Sequence, residues 1–316
     1  MEGIRFGRKR SGIKKEIDKK IRDWIDAVDD ELVVTAIKRD AILTGGAIAS
    51  MLLGEQVNDF DFYFRTKASA LLVAHYYVNK FNKDNNLKTK DGVKSCTPIV
   101  KEETLQNIKG EDEDRVTIFM KSAGVASEGQ EDYQYFEMTT GGELSAFSES
   151  LGEKETADKK EKYRPVFMSQ NAITLSDKVQ LVTRFYGEPD KIHDNYDFVH
   201  ACCYYDYGAK SLVFPPEAME ALLSRTLIYR GSLYPIASIF RTKKFIERGW
   251  RITAGQQLKI MWQISELDLT DDVVLREQLV GVDMAYMHEL VEALKCVDSE
   301  KINSSYVATT IDRIFD

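Results

Sequence analysis

The chain has 316 residues, 43% of them hydrophobic, 30% charged and 10% aromatic, with only 6 Pro and 19 Gly. That composition excludes a chain that is disordered or collagenous over most of its length, and it supplies a sizeable core. The net charge of −8 excludes a whole-surface attraction to nucleic acid or anionic lipid, so any such contact must be local.

At the N-terminus, residues 1–22 carry nine basic side chains against three acidic ones. Ile13, Ile17, Ile21, Trp24, Ile25 and Val28 recur at spacings of three and four, which predicts an amphipathic helix. Its basic face reads as solvated surface, with a phosphate-backbone contact as the functional alternative. After Asp40, the order is a short apolar strand at 41–44, a Gly45-Gly46 turn, and a helical segment that Gly54 stops. Residues 58–65 (NDFDFYFR) alternate strictly and predict a half-buried strand, with Asp59, Asp61 and Tyr63 on one face and three Phe on the other. Residues 67–81 read as a helix.

From about 82 to 169 the pattern loosens into an insertion, with strand candidates at 115–121 and 133–139 and a charged, apolar-poor stretch at 148–162. Strands are expected again at 171–175 and 178–185, a short helix at 189–195, and a strand at 196–205 (YDFVHACCYY). Beyond Pro215-Pro216 the periodicity is helical, near 217–226, 235–248, 254–266 and 272–296. The expected architecture is thus an α/β (α+β) domain with a mixed sheet, followed by a mainly helical one. The boundaries are a basic helix at 1–40, the α/β domain at 41–210 and the helical domain at 211–316.

Asp59 and Asp61, two apart on a strand, emerge on one face with Cα atoms about 7 Å apart. Carboxylates that close repel unless a cation lies between them, and all-oxygen ligands select Mg²⁺ or Mn²⁺. Upstream, the diglycine turn lets the backbone approach a phosphate, and the helix start behind it offers unpaired N–H groups and a positive dipole end. Together these point to phosphoryl transfer, in which metal ions neutralise the transferred group and activate the attacking hydroxyl.

Residues 45–62 (GGAIASMLLGEQVNDFDF) resemble the head-domain signature of the DNA polymerase β nucleotidyltransferase superfamily, in the GGxVRDxLLGxxxxDxDh form of CCA-adding enzymes and bacterial poly(A) polymerases. The departure is Ala49-Ser50 in place of the signature's Arg-Asp. Residues 241–252 (RTKKFIERGWRI) are similar to the basic helix that follows the head in those enzymes; Arg241, Lys244 and Arg248 share one helix face. The resemblance implies a nucleotidyltransferase fold, Mg²⁺ or Mn²⁺, and an NTP as partner. It places Asp59 and Asp61 on the metal, and Gly45, Gly46, Ser50, Arg241 and Lys244 on the nucleotide. A third carboxylate is implied on a neighbouring strand, with Asp197 preferred and Glu137 the alternative. RNA or another nucleic acid is a candidate acceptor through the local basic patches.

The four cysteines form no CxxC pair and no zinc spacing, and no apolar run is long enough to cross a membrane or serve as a signal peptide. A cytoplasmic location without a membrane partner is expected, in the host cytoplasm for a phage-encoded member. A catalytically weak or inactive member kept as a binding or assembly module is the competing functional expectation.

Overall fold

The computed structural model describes residues 7–84, 97–106, 112–121, 161–169 and 171–269, together with 274, 278 and 309. The chain divides into two compact units, Met1–Phe136 with Lys159–Arg230, and Glu137–Asp158 with Gly231–Asp316.

The first unit begins with α1 (Arg10–Ile25), whose Ile13, Ile17, Ile21 and Trp24 are fully buried, as their spacing predicts. A second helix, α2 (Glu31–Asp40), follows; Asp30 caps it by accepting from the N–H groups of Leu32 and Val33 at 2.8 and 3.2 Å. Next come β1 (Ala41–Thr44), α3 (Gly46–Leu53), β2 (Phe60–Phe64) and α4 (Lys67–Asp84). In the region expected as an insertion, β3 (Thr97–Gln106) and β4 (Asp112–Lys121) form a separate antiparallel pair. Strands β5 (Pro165–Met168), β6 (Ala172–Leu175) and β7 (Val179–Tyr186) lead into α5 (Pro189–His193). Finally β8 (Tyr204–Asp206), β9 (Ser211–Val213) and α6 (Pro216–Ser224) complete the unit's regular elements discussed below.

One seven-stranded mixed sheet runs β5-β6-β7-β2-β1-β8-β9. The strand that carries the two aspartates therefore lies in the middle, antiparallel to β1 and parallel to β7. Its Phe face packs on α1: the Trp24 ring lies tilted, 5.0 Å from that of Phe62, and donates its indole N–H to the Tyr77 hydroxyl of α4 at 2.7 Å. The expectation of a half-buried strand needs correction, because the opposite face is covered as well. There Tyr63 packs with Ile42 and Ile192, and Tyr196 and Tyr204 lie against them. The strand starts at Phe60, so Asp59 stands just before it.

Residues 196–205 do not form one strand. Phe198 bridges Tyr229, and Val199–Ala201 closes a single 3₁₀ turn in which the Cys202 N–H returns to Val199; only Tyr204–Asp206 reaches the sheet beside β1. A short apolar run has the same composition whether it is a buried turn or a buried strand, and here the cross-chain partner decided. The second unit contains α7 (Pro235–Glu247) and α8 (Ala254–Ser265), with Phe245 of α7 in edge contact at 5.7 Å with Trp250 in the connection that follows. The mixed α/β class and the succession of helices after residue 215 agree with the sequence expectation. The strand expected at 133–139, with Glu137, and most of the helix expected at 272–296 lie outside the described residues. Among the described residues no helix is long and apolar enough to cross a membrane.

Candidate active site

The site is built at the end of β1 and the start of β2. Leu43 pairs with Phe62, and continuing that antiparallel register sets Thr44 opposite Asp61; on the other side the parallel register sets Gln180 of β7 opposite Asp61. The turn after Thr44 needs glycine. Gly45 has φ of 94° and ψ of −154°, a conformation that L side chains rarely adopt. A Cβ there would also lie 3.2 Å from the Asp61 Oδ2 and 3.4 Å from the Tyr196 hydroxyl. Two residues sixteen apart in sequence are thus in close contact, as the diglycine-to-acid spacing implied.

The roles of the two glycines differ. The Gly45 N–H donates to the Ala201 carbonyl at 3.1 Å, so it is committed within the protein. Gly46 is exposed and begins α3, where helix geometry leaves N–H groups without an intrahelical partner; a Cβ placed on it meets nothing within 4 Å. Ser50 is buried on α3.

Asp61 is half-buried, with its Oδ2 close against the Gly45 turn. Burial, and secondarily the charge of Asp59, push its pKa up to about 7. Asp59 is at the surface; partial burial raises its pKa, and the Lys178 ammonium pulls in the opposite direction. Behind the pair lies a polar network that the sequence did not announce. The Tyr196 hydroxyl hydrogen-bonds those of Tyr63 and Thr44, and burial raises its pKa well above the ordinary phenol range. The Thr44 hydroxyl donates to the Cys203 carbonyl at 3.1 Å and lies 2.8 Å from the His193 Nε2. With Thr44 donating elsewhere, the network assigns the ring proton to Nε2. Burial, and then the Arg230 charge, lower the His193 pKa to about 4, so the ring is neutral. Tyr196 and Thr44 had no sequence signal, because a turn tyrosine and a strand-end threonine match no motif; only β1, β2 and the 190s segment folded together bring them to Asp61.

Asp197 precedes the 3₁₀ turn rather than opening a strand, and its carbonyl accepts the Arg230 N–H at 2.8 Å. Among the described residues, no group of three or more His, Cys, Asp and Glu side chains is close enough to hold a metal ion, so Asp59, Asp61 and Asp197 are not gathered into a trio. Glu137 lies outside the described residues. Arg241 and Lys244 are on α7 of the second unit, half-buried and exposed respectively. Part of the basic N-terminal segment is tied to the protein itself: Arg8, just before α1, pairs with Glu16, and Arg10, Lys14 and Lys20 donate to the carbonyls of Leu212, Lys210 and Asp177, while Lys15, Lys19 and Arg22 are exposed.

Among solved structures, the chain is similar to the Thermotoga maritima CCA-adding enzyme complexed with tRNA, at 13% identity and a TM-score of 0.39 over 83% of this chain and 48% of that one. A tRNA-processing enzyme with CTP matches at 11% identity and a TM-score of 0.38, covering 84% and 56% of the two chains. A CCA-adding enzyme with CTP matches at 12% and 0.38, covering 94% and 52%. The chain spans about half the length of these proteins. No curated protein sequence gives a significant match. Residues 15–225, which hold the whole β1–β2 site, match the family described as Gabija anti-defense 2 family protein, and the chain belongs to that family.

Proposed function

We propose that the chain is a divalent-metal-dependent nucleotidyltransferase that moves a nucleoside monophosphate from an NTP to an acceptor hydroxyl, releases pyrophosphate, and in doing so acts against a defence system in the cytoplasm of a phage-infected host. The observation that carries this reading is the placement of a half-buried carboxyl group of raised pKa, Asp61, against a glycine turn that opens onto a helix start. The anti-defence description of the family supports the biological side.

The residues present fit Mg²⁺ or Mn²⁺. Asp59 and Asp61 supply hard oxygen ligands, and two protein carboxylates suffice for an ion that keeps several waters and shares the substrate's phosphates. When bound, such an ion neutralises charge on the transferred phosphoryl group and favours ionisation of the attacking hydroxyl. In this reading the start of α3 at Gly46 receives the β- and γ-phosphates, while Gly45 keeps the turn open for the Asp61 carboxylate. Ser50, buried on the same helix, is a further nucleotide contact.

The test is incubation of the purified protein with labelled NTPs, Mg²⁺ and pooled RNA, DNA and protein acceptors. Label incorporation is expected, with a loss of at least about a hundredfold in Asp59→Ala and Asp61→Ala. Incorporation that survives both changes would overturn the assignment. A second reading, a binding or assembly module that retains the nucleotide site without turnover, is favoured by the lack of a third clustered acid among the described residues and by the internal use of the Gly45 amide. It predicts Mg²⁺-dependent NTP binding, sensitive to Asp61→Ala, with no label transferred to any acceptor.

A further inference from the structure

The connection between β6 and β7 holds two consecutive non-glycine residues with positive φ, Asp177 at 64° and Lys178 at 60°. Such a conformation crowds the Cβ against the backbone, which is why glycine or asparagine normally takes it. Asp177 has a local reason to be there. Its carboxylate accepts from the Tyr163 N–H and the Ser176 hydroxyl, and its carbonyl accepts from Lys20. Aspartate also tolerates this region better than most residues. Lysine has no such local bonding to offer its own turn.

What the Lys178 side chain does instead is reach across to the site. Its ammonium donates to the Val57 carbonyl at 3.1 Å, two residues before Asp59, and its own carbonyl accepts the Phe60 N–H at 2.8 Å. Lys178 thus grips both sides of Asp59 while remaining exposed to solvent. Its charge acts on Asp59, offsetting part of the burial that raises that carboxyl group's pKa. Lys20, another cation close to this turn, is held by the Asp177 carbonyl and the rings of Phe60 and Tyr163.

We propose that Lys178 is a nucleotide-phosphate contact at this site, kept in a strained backbone conformation because its ammonium is needed beside Asp59. The inference rests on the nucleotide site proposed above and deepens it. Backbone strain persists where the surrounding structure and a functional demand hold it. An exposed ammonium next to an acidic pair can leave a neutral carbonyl for a phosphate, which is the stronger acceptor.

The experiment uses the full-length chain and Lys178→Gly, with Lys178→Arg and Lys162→Gln alongside. Glycine relieves the positive-φ strain but also loses the bond to Val57 and loosens the unfolded chain, so little net change in thermal unfolding of Lys178→Gly is expected. At the same time its affinity for Mg²⁺-NTP, by calorimetry, is expected to fall about tenfold or more, as for loss of a charged hydrogen bond. Lys178→Arg is expected to keep most of the affinity. Lys162→Gln, which removes a neighbouring positive charge, is expected to leave it unchanged. Unchanged affinity in Lys178→Gly or an equal loss in Lys162→Gln would each overturn the role. Failure of the wild-type chain to bind any Mg²⁺-NTP would instead remove the nucleotide site itself, and Lys178 with it.

Discussion

Gly45 and Asp61 constrain each other. Replacing Gly45 with Ala puts a methyl group 3.2 Å from the Asp61 carboxylate in a backbone conformation that alanine avoids. We expect destabilisation of about 1–3 kcal/mol, read from urea unfolding, together with weakened NTP binding. Asp61 itself is a cost to the fold when no cation is bound. Its folded pKa of about 7 lies above the ordinary value of 3.8, so ionisation penalises the folded state increasingly between those values and constantly above them. In chelator at pH 8, Asp61→Asn is therefore expected to be more stable than wild type by roughly 3 kcal/mol, with the two converging at pH 4. His193 works in the opposite sense. Its folded pKa of about 4 lies below the ordinary 6.5, so its contribution is complete above pH 6.5 and is lost as pH falls towards 4, because the unfolded chain takes up a proton that the folded chain refuses. The loss is about 3 kcal/mol at most, and His193→Gln, which keeps a donor towards Thr44, should flatten that part of the stability profile.

At the scale of elements, α1 is a core element with a basic outer side. Its apolar stripe was plain in the spacing of four isoleucines and a tryptophan, and those positions are the buried ones. Four of the nine basic side chains that suggested a phosphate contact, Arg8, Arg10, Lys14 and Lys20, are engaged with Glu16 or with carbonyls of the same chain. Trp24→Ala should cost about 3–5 kcal/mol in urea unfolding, because it opens a cavity against Phe62 and leaves the Tyr77 hydroxyl without its donor. A cost below about 1 kcal/mol would mean that α1 does not brace β2. The 196–205 segment shows the opposite behaviour: its composition suits a strand, yet the bridge from Phe198 to Tyr229 and the turn at Val199 take it out of the sheet until Tyr204.

Across the whole molecule, the net charge of −8 opposes nonspecific nucleic-acid binding, and Lys14 and Lys20 of α1 are used within the chain. Filter binding to pooled RNA without nucleotide is expected to be weak at about 150 mM salt, with a shallow salt dependence set by few phosphate contacts. What the sequence alone determined is local: the periodicity of α1, the alternation of β2, the glycine turn, and the spacing that joins Gly45 to Asp61. These follow from 3.6-residue and 2-residue repeats and from glycine's conformational freedom, all of which act over a few neighbours. Only the tertiary structure decided the central position of β2, the covering of its acidic face, and the neighbours of Asp61: Thr44, Gln180, Tyr196 and, beside Asp59, Lys178. Those neighbours come from segments more than a hundred residues apart. Strand pairing is set by burial and hydrogen bonding between whole elements, and no local pattern in the chain encodes it.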